Sequence, residues 1–327
     1  MTSAHVYLHS FLAPLARWLE ATDITDLVVN RPGEIWVERA GAEMTREEVP
    51  ALTEQTLQRL ARQIAASSHQ GVSRDHPLVS ATLPDGARVQ IVAPPATRGG
   101  VALGIRRHAF ADLSLDRLDA SGMFSGGDLA RGQRVEQELE ALRAGGDVRA
   151  FLEAAVRSRK TLLLSGGTAS GKTTLLNALL KCADPRERLI VIEDAPELTL
   201  DHANILGLIA SRGQSGEAQV SAEDLLQASM RLRPDRILLG ELRGREAFSF
   251  LRAVNTGHPG SITTIHADDP VGAIDQIAML TLLSGVAIGW DTLRRYATGV
   301  IDYVVQLGRT ESGARSVMEI ARASDLI

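Results

Sequence analysis

Residues 166–173 read Gly-Gly-Thr-Ala-Ser-Gly-Lys-Thr, a complete G-x-x-x-x-G-K-[ST] motif. Its flanks are those the motif requires: the apolar run Thr161–Leu164 before it reads as a buried strand, and Thr174–Leu180 after it as a helix. Glycines here let successive backbone N–H groups converge on a phosphate without side-chain interference, and the helix N-terminus adds its positive end. Strand, loop and helix in this order commit their surroundings to a parallel α/β architecture. From Asp147 onward the pattern obeys. Asp147 is placed to cap a helix running to Arg159, and further short strands read at Leu189–Ile192, Arg236–Leu239 and Ser261–Ile265. Ser221-Ala-Glu-Asp224 is a capping box with Asp in place of Glu and opens a helix to Arg231, while amphipathic helices start at Arg245 and Val271.

A chain of 327 residues has room for a second domain, and the N-terminal third reads differently. Asp26–Asn30 and Glu34–Arg39 are strand-like about the turn Pro32-Gly33, and Leu78–Leu83 and Arg88–Ala93 flank the hairpin signal Pro84-Asp85-Gly86. Between them Leu57, Leu60, Ala61, Ile64 and Ala65 keep helical spacing behind Thr53 as cap, and Val101–Arg107 adds a strand. This is a small α+β domain, residues 1–118. Residues 119–146, rich in glycine and charge, read as a linker holding one helix, Val135–Arg143. Residues 147–327 form the phosphate-binding domain. Leu8, Leu12, Leu15 and Leu19 suit a short amphipathic helix packed on the core, since a helix lying on a bilayer surface usually carries a basic polar face.

Three polar clusters follow apolar strands: Glu193-Asp194, Gly240-Glu241, and Thr263-Thr264-Ile-His266. Ligands of parallel sheets bind at the carboxyl ends of the strands, so all three are expected around the loop. Gly166, Gly167, Thr168, Ala169, Ser170, Gly171, Lys172, Thr173 and Thr174 would cradle the phosphates of ATP, with Lys172 on the β- and γ-phosphates and the Thr173 hydroxyl on Mg²⁺. Two roles are open for Glu241, holding Mg²⁺ through water or orienting the nucleophile. Glu193 is the candidate for polarising the attacking water; Asp194 either supports it or pairs with a cation at the sheet edge. His266 would hydrogen-bond the γ-phosphate or sense its loss, whereas His258 can equally be holding its loop.

Charge and cysteine content narrow the partners. With 35 Lys+Arg against 40 Asp+Glu the formal charge is −5, which argues against a broad or sequence-specific nucleic-acid footprint. A single cysteine, Cys182, forbids an internal disulfide and a cysteine-built zinc site and suits a reducing, cytoplasmic setting.

Met230-Arg-Leu-Arg-Pro-Asp-Arg-Ile-Leu-Leu-Gly-Glu-Leu-Arg243, followed by Asn255-Thr-Gly-His-Pro-Gly-Ser-Ile-Thr-Thr-Ile-His266, resembles the secretion ATPase superfamily. Its Walker A loop, acidic "Asp box", Gly-Glu Walker B and "His box" are matched here in order. Within it Glu246-Ala-Phe-Ser-Phe-Leu-Arg-Ala-Val-Asn255 and His266-Ala-Asp-Asp-Pro look most like the VirB11 branch, the traffic ATPases of type IV secretion. The resemblance implies a RecA-like C-terminal domain, a PAS-like N-terminal domain, and a homohexamer binding nucleotide between the two. It implies partners among the inner-membrane and cytoplasmic secretion components, with peripheral membrane association. It also implies that N-terminal arginines reach the phosphates, which on this chain points to Arg106 and Arg88; Arg231 and Arg233 are candidates for the site or the ring interface. A type II secretion or pilus retraction motor of the same superfamily would use the same ATP chemistry. A nucleotide-gated scaffold would need the loop but not the acids.

Overall fold

The computed structural model describes residues 8, 10–107, 114–120, 122–124, 129–211 and 217–327. Among them two sheets form, each with its own helices. The first holds β1 (Ile24–Val29), β2 (Glu34–Arg39), β3 (Thr45–Glu48), β4 (Leu78–Thr82), β5 (Arg88–Val92) and β6 (Ala102–Arg106) in the order β3-β2-β1-β6-β5-β4. Every pairing is antiparallel. The helix α1 (Ala16–Leu19), entered through a 3-10 turn at Ala13–Leu15, buries Leu15 and Trp18 against this sheet, with Leu12 and Leu19 packed alongside. Core packing of the N-terminal leucines is therefore what the fold has. The helix α2 (Glu54–Ser67) turns Leu57, Leu60, Ala61, Ile64 and Ala65 inward, and Thr53 Oγ1 accepts from Thr56 N at 3.2 Å to start it.

The second sheet runs β13-β12-β7-β11-β10-β8-β9. Its strands are β7 (Leu162–Gly166), β8 (Leu189–Glu193), β9 (Ile205–Ile209), β10 (Arg236–Leu239), β11 (Ile262–Ile265), β12 (Tyr303–Arg309) and β13 (Arg315–Arg322). All neighbours are parallel except the β12–β13 hairpin. Around it lie α5 (Val148–Arg157), α6 (Lys172–Leu180), α7 (Ala222–Ser229), α8 (Glu246–Asn255), α9 (Pro270–Leu283) and α10 (Trp290–Val300). Asp147 Oδ1 accepts from Ala150 N at 3.0 Å, and Ser221 and Asp224 complete a reciprocal capping box.

The segment read as a linker differs. It contains the end of α3 (Leu115–Ala120) and then α4, which runs Leu129–Ala144 and so starts earlier than the expected Val135. Leu139 of α4 is wholly buried among Phe151, Leu152 and Leu162, with Val135 and Leu142 beside it. Lys160 and Arg322 both pair with Glu136. A narrow apolar stripe at i, i+4 and i+7 on an otherwise charged helix is enough to dock it. That part of the segment is packed with the second sheet.

The two units meet through apolar and polar contacts: Val92, Ala96 and Ala102 are buried in one core with Leu206, Leu208 and Leu232, and around them lies a set of hydrogen bonds. Arg188, fully buried at the start of β8, donates from Nη1 to Asn30 Oδ1 (2.7 Å) and Asn204 Oδ1 (2.6 Å), and from Nε to Leu232 O (2.8 Å). Burial lowers the pKa of its guanidinium. Arg233 holds Glu38 bidentately at 2.6 and 2.8 Å, and Arg231 Nη1 donates to Ser80 Oγ at 2.9 Å. Both arginines thus serve the junction between the units.

Beneath the second sheet Arg236, 1% exposed, grips Glu187 with Nε and Nη2 at 2.6 and 2.9 Å and donates to Val156 O at 2.7 Å. Removing one partner of a buried, hydrogen-bonded ion pair is strongly destabilising, but Arg159 stays on Glu187 at 2.6 Å. Arg236→Met is expected to lower stability by about 3 kcal/mol, read as a fall in the urea midpoint; an unchanged midpoint would show that Arg159 alone suffices.

Candidate nucleotide site

The loop between β7 and α6 is shaped by two glycines. Gly166 has φ +154°, and a Cβ there would stand 2.6 Å from Leu307 O and 2.7 Å from Ser170 Oγ. Gly171 has φ +101°, in the left-handed region, and its missing Cβ leaves room for Arg315 Cδ. Ser170 Oγ is buried without a hydrogen-bond partner. Lys172 opens α6, and Nζ donates to Gly166 O at 2.6 Å and Gly167 O at 3.0 Å. Burial lowers its pKa below the usual lysine range; the Glu241 charge opposes this, and Arg243 adds to it.

Residues 168–174 line a cavity of about 330 Å³ together with Glu193, Asp194, Glu197, Leu198, Gly240, Glu241, Arg243, Thr264, His266 and Arg315. The sheet order explains who meets whom. β7, β11, β10 and β8 are consecutive in space, so the loop, His266, Glu241 and Glu193 stand in that sequence along one edge. His266 Nε2 lies 3.0 Å from Glu241 Oε1, and Nδ1 lies 3.4 Å from Lys172 Nζ. An ammonium only donates, so toward Lys172 Nδ1 is the acceptor, and Nε2–H donates to Glu241. The other Glu241 oxygen accepts from Arg243 Nη2 at 2.5 Å, and Arg243 Nη1 lies 3.9 Å from Asp194. The cation-pairing alternative read for Asp194 is thus present.

Glu193, 5% exposed, is held on both oxygens. Oε1 accepts from Glu197 N (3.0 Å) and Leu198 N (2.8 Å), and Oε2 accepts from Arg98 Nη2. Burial raises its pKa; the Leu198 amide, the Arg98 charge and the Glu197 amide pull it back. His258 Nδ1 sits 2.7 Å from Ala253 O and holds its own loop.

Arg88 and Arg106, expected at the phosphates, are not in this cavity. They face each other across the β5–β6 pair, and Arg106 lies half exposed, 3.9 Å from Asp26. The reason is register. They occupy the end of the hairpin opposite the 93–101 connection, roughly 13 Å of strand away, and it is that connection which touches the second sheet. Arg98, on that connection, bonds Glu193 and Leu198 O. Sequence reading also passed over Arg243 and the C-terminal hairpin, where Arg315 lines the cavity and Arg309 Nη2 donates to Ala169 O at 3.4 Å. Arginines two residues past an acid or on an edge hairpin carry no periodic signal; only the pairing of Leu307 with Gly166 places that hairpin over the loop.

The residues present fit a magnesium nucleotide. The loop has the open glycine cradle, an unpartnered buried hydroxyl at Ser170, and Thr173 on the first turn of α6. Among the described residues no group of three His, Cys, Asp or Glu is placed to hold a metal, and Mg²⁺ beside phosphates needs only one or two protein oxygens. Thr173 and Glu241 would supply them.

A family model for type II/IV secretion system proteins matches residues 130–302. Over 325 residues the chain is 36% identical to the type IV secretion system protein VirB11 of Bartonella quintana (strain Toulouse), covering 94% of this chain and 91% of that one. It is 39% identical over 325 residues to the type IV secretion system protein PtlH of Bordetella pertussis (strain Tohama I), covering 94% and 93%. The crystal structure of the VirB11 ATPase from the Brucella suis type IV secretion system, in complex with sulphate, superposes with a TM-score of 0.89 at 34% identity, over 99% of this chain and 96% of that one.

Proposed function

Since this chain belongs to the VirB11 family of secretion ATPases, we propose that it is a homohexameric motor that couples Mg²⁺-dependent ATP hydrolysis to movement of its two units, powering substrate transfer or pilus assembly in type IV secretion. The observation that carries this reading is the convergence of four clusters, from four neighbouring parallel strands, on one cavity: Lys172, His266, Glu241 and Glu193. In this reading the second sheet with its helices is a RecA-like domain and the first a PAS-like one.

Bound Mg²⁺ would neutralise charge on the phosphate oxygens. The chain's own groups do the rest. Loop amides and Lys172 bind and orient the phosphates, Thr173 and Glu241 would hold the metal, and His266, held between Lys172 and Glu241, senses the γ-position. Glu193 orients the attacking water. A carboxylate has about four lone-pair sites, and Arg98 and two amides take three of Glu193's. One is left for a water. Glu193→Gln keeps the shape but loses the charge, and is expected to lower kcat about a hundredfold with nucleotide binding retained.

Among the described residues no helix is long and apolar enough to cross a membrane. We place the protein at the cytoplasmic face of the inner membrane through its secretion partners. The test of assembly is phosphate release against protein concentration, with sedimentation alongside. Specific activity that rises steeply as a six-subunit species appears supports the ring; a monomer at every nucleotide and protein concentration overturns it.

A further inference from the structure

Between β5 and β6 the chain leaves the first sheet and lies along the edge of the second. Thr97 bridges Leu208 in antiparallel sense, Arg98 N donates to Gly207 O at 3.0 Å, and Ile209 N donates to Ala96 O at 3.0 Å. Thr97 Oγ1 bonds Gly99 O and Gly100 O at 3.0 and 2.8 Å and shapes the turn that follows. From this anchor the Arg98 side chain crosses β9 at Gly207. A Cβ on Gly207 would stand 2.7 Å from Arg98 Cδ and from Leu200 Cδ1, so the crossing needs glycine. Beyond it, Nη1 donates to Leu198 O at 2.5 Å and Nη2 to Glu193 Oε2. The Arg98 side chain is 16% exposed and that of Glu193 4%.

We infer that Arg98 is the positioning residue for Glu193, and that it makes the water-orienting carboxylate competent only while the N-terminal unit is docked on β9. This rests on the reading of Glu193 given above. Two amides fix one Glu193 oxygen, but among the described residues only Arg98 fixes the other and sets the direction of the remaining lone pair. Among the charged groups facing Glu193, Arg98 favours the ionised form and Glu197 opposes it. The planar guanidinium bonds Leu198 O and Glu193 together, which a lysine, with a single nitrogen, does less well. Because Arg98 rides on the connection of the first sheet, undocking that unit withdraws it from the site. Hydrolysis then registers where the N-terminal unit stands.

The experiment is steady-state hydrolysis with Mg²⁺-ATP for wild type, Arg98→Met, Arg98→Lys, Glu193→Gln and the Arg98→Met/Glu193→Gln double variant, with melting temperatures measured in parallel. Arg98→Met is expected to lower kcat about tenfold while KM stays within about twofold, Arg98→Lys to recover part of the loss, and Arg98→Met to cost nothing further in the Glu193→Gln background. Wild-type turnover in both Arg98 variants, with Glu193→Gln impaired, overturns the inference and spares the reading of Glu193. An equal loss in both backgrounds, or one carried by KM or by melting, assigns Arg98 a structural role instead. Full turnover in Glu193→Gln overturns the reading of Glu193 and this inference with it.

Discussion

Lys172→Ala is expected to lower ATP turnover by about a thousandfold, the scale seen when a single preorganised donor to developing charge is removed. Lys172 is the first residue of α6, where the helix dipole and the loop amides already favour anions. Lys172 as a residue is 8% exposed, so its charge acts through little water. Two further losses follow from the geometry. Gly166 O and Gly167 O lose a donor, and His266 Nδ1 loses its neighbour, which frees the imidazole to change tautomer. Phosphate release across a range of protein concentrations decides the matter. Residual turnover near wild type would place the hydrolytic site somewhere other than this loop.

Glu241→Gln is the second large effect: nucleotide binding persists while turnover falls about a hundred- to a thousandfold. The glutamine amide fills the same space, but its carbonyl carries no charge for Mg²⁺ and its NH₂ turns a donor toward either His266 Nε2–H or Arg243, both of which donate. One of those contacts becomes donor against donor. Equilibrium binding of a fluorescent ATP analogue, set beside single-turnover phosphate release, separates affinity from chemistry. If binding collapses together with turnover, Glu241 organises the cavity as a whole rather than acting at the reacting phosphate.

Much of the framework is legible residue by residue. Thr53, Asp147 and Ser221 announce their helices because a cap needs only a local side chain and a free amide. Pro84-Asp85-Gly86 announces its hairpin because the turn needs Gly86 at φ +86°. Other elements lack such signals. β3 reads Thr-Arg-Glu-Glu, a charged edge strand that pairs with β2 and carries no apolar alternation of its own. β9 is five residues with a glycine at its centre, kept there by the crossing of Arg98. The β12–β13 hairpin returns antiparallel at the end of a parallel sheet, and nothing in its alternation states which strand it joins.

For the site, the sequence by itself determined the inventory. A phosphate loop and three polar clusters, each following an apolar strand, must gather at one edge of a parallel sheet, because parallel strands put all their carboxyl ends on the same side. Their order along that edge was decided only by the tertiary structure. In the chain the clusters run Lys172, Glu193, Glu241, His266; in space β11 and β10 insert between β7 and β8, so His266 stands beside Lys172 and Glu193 lies farthest off. Strand order depends on which faces the helices cover and how the connections cross, quantities spread over the whole fold. The arginine of the N-terminal unit that reaches Glu193 is settled at the same level. Arg88, Arg98 and Arg106 are chemically alike, and what selects Arg98 is that its loop, and not the far end of the hairpin, docks on β9.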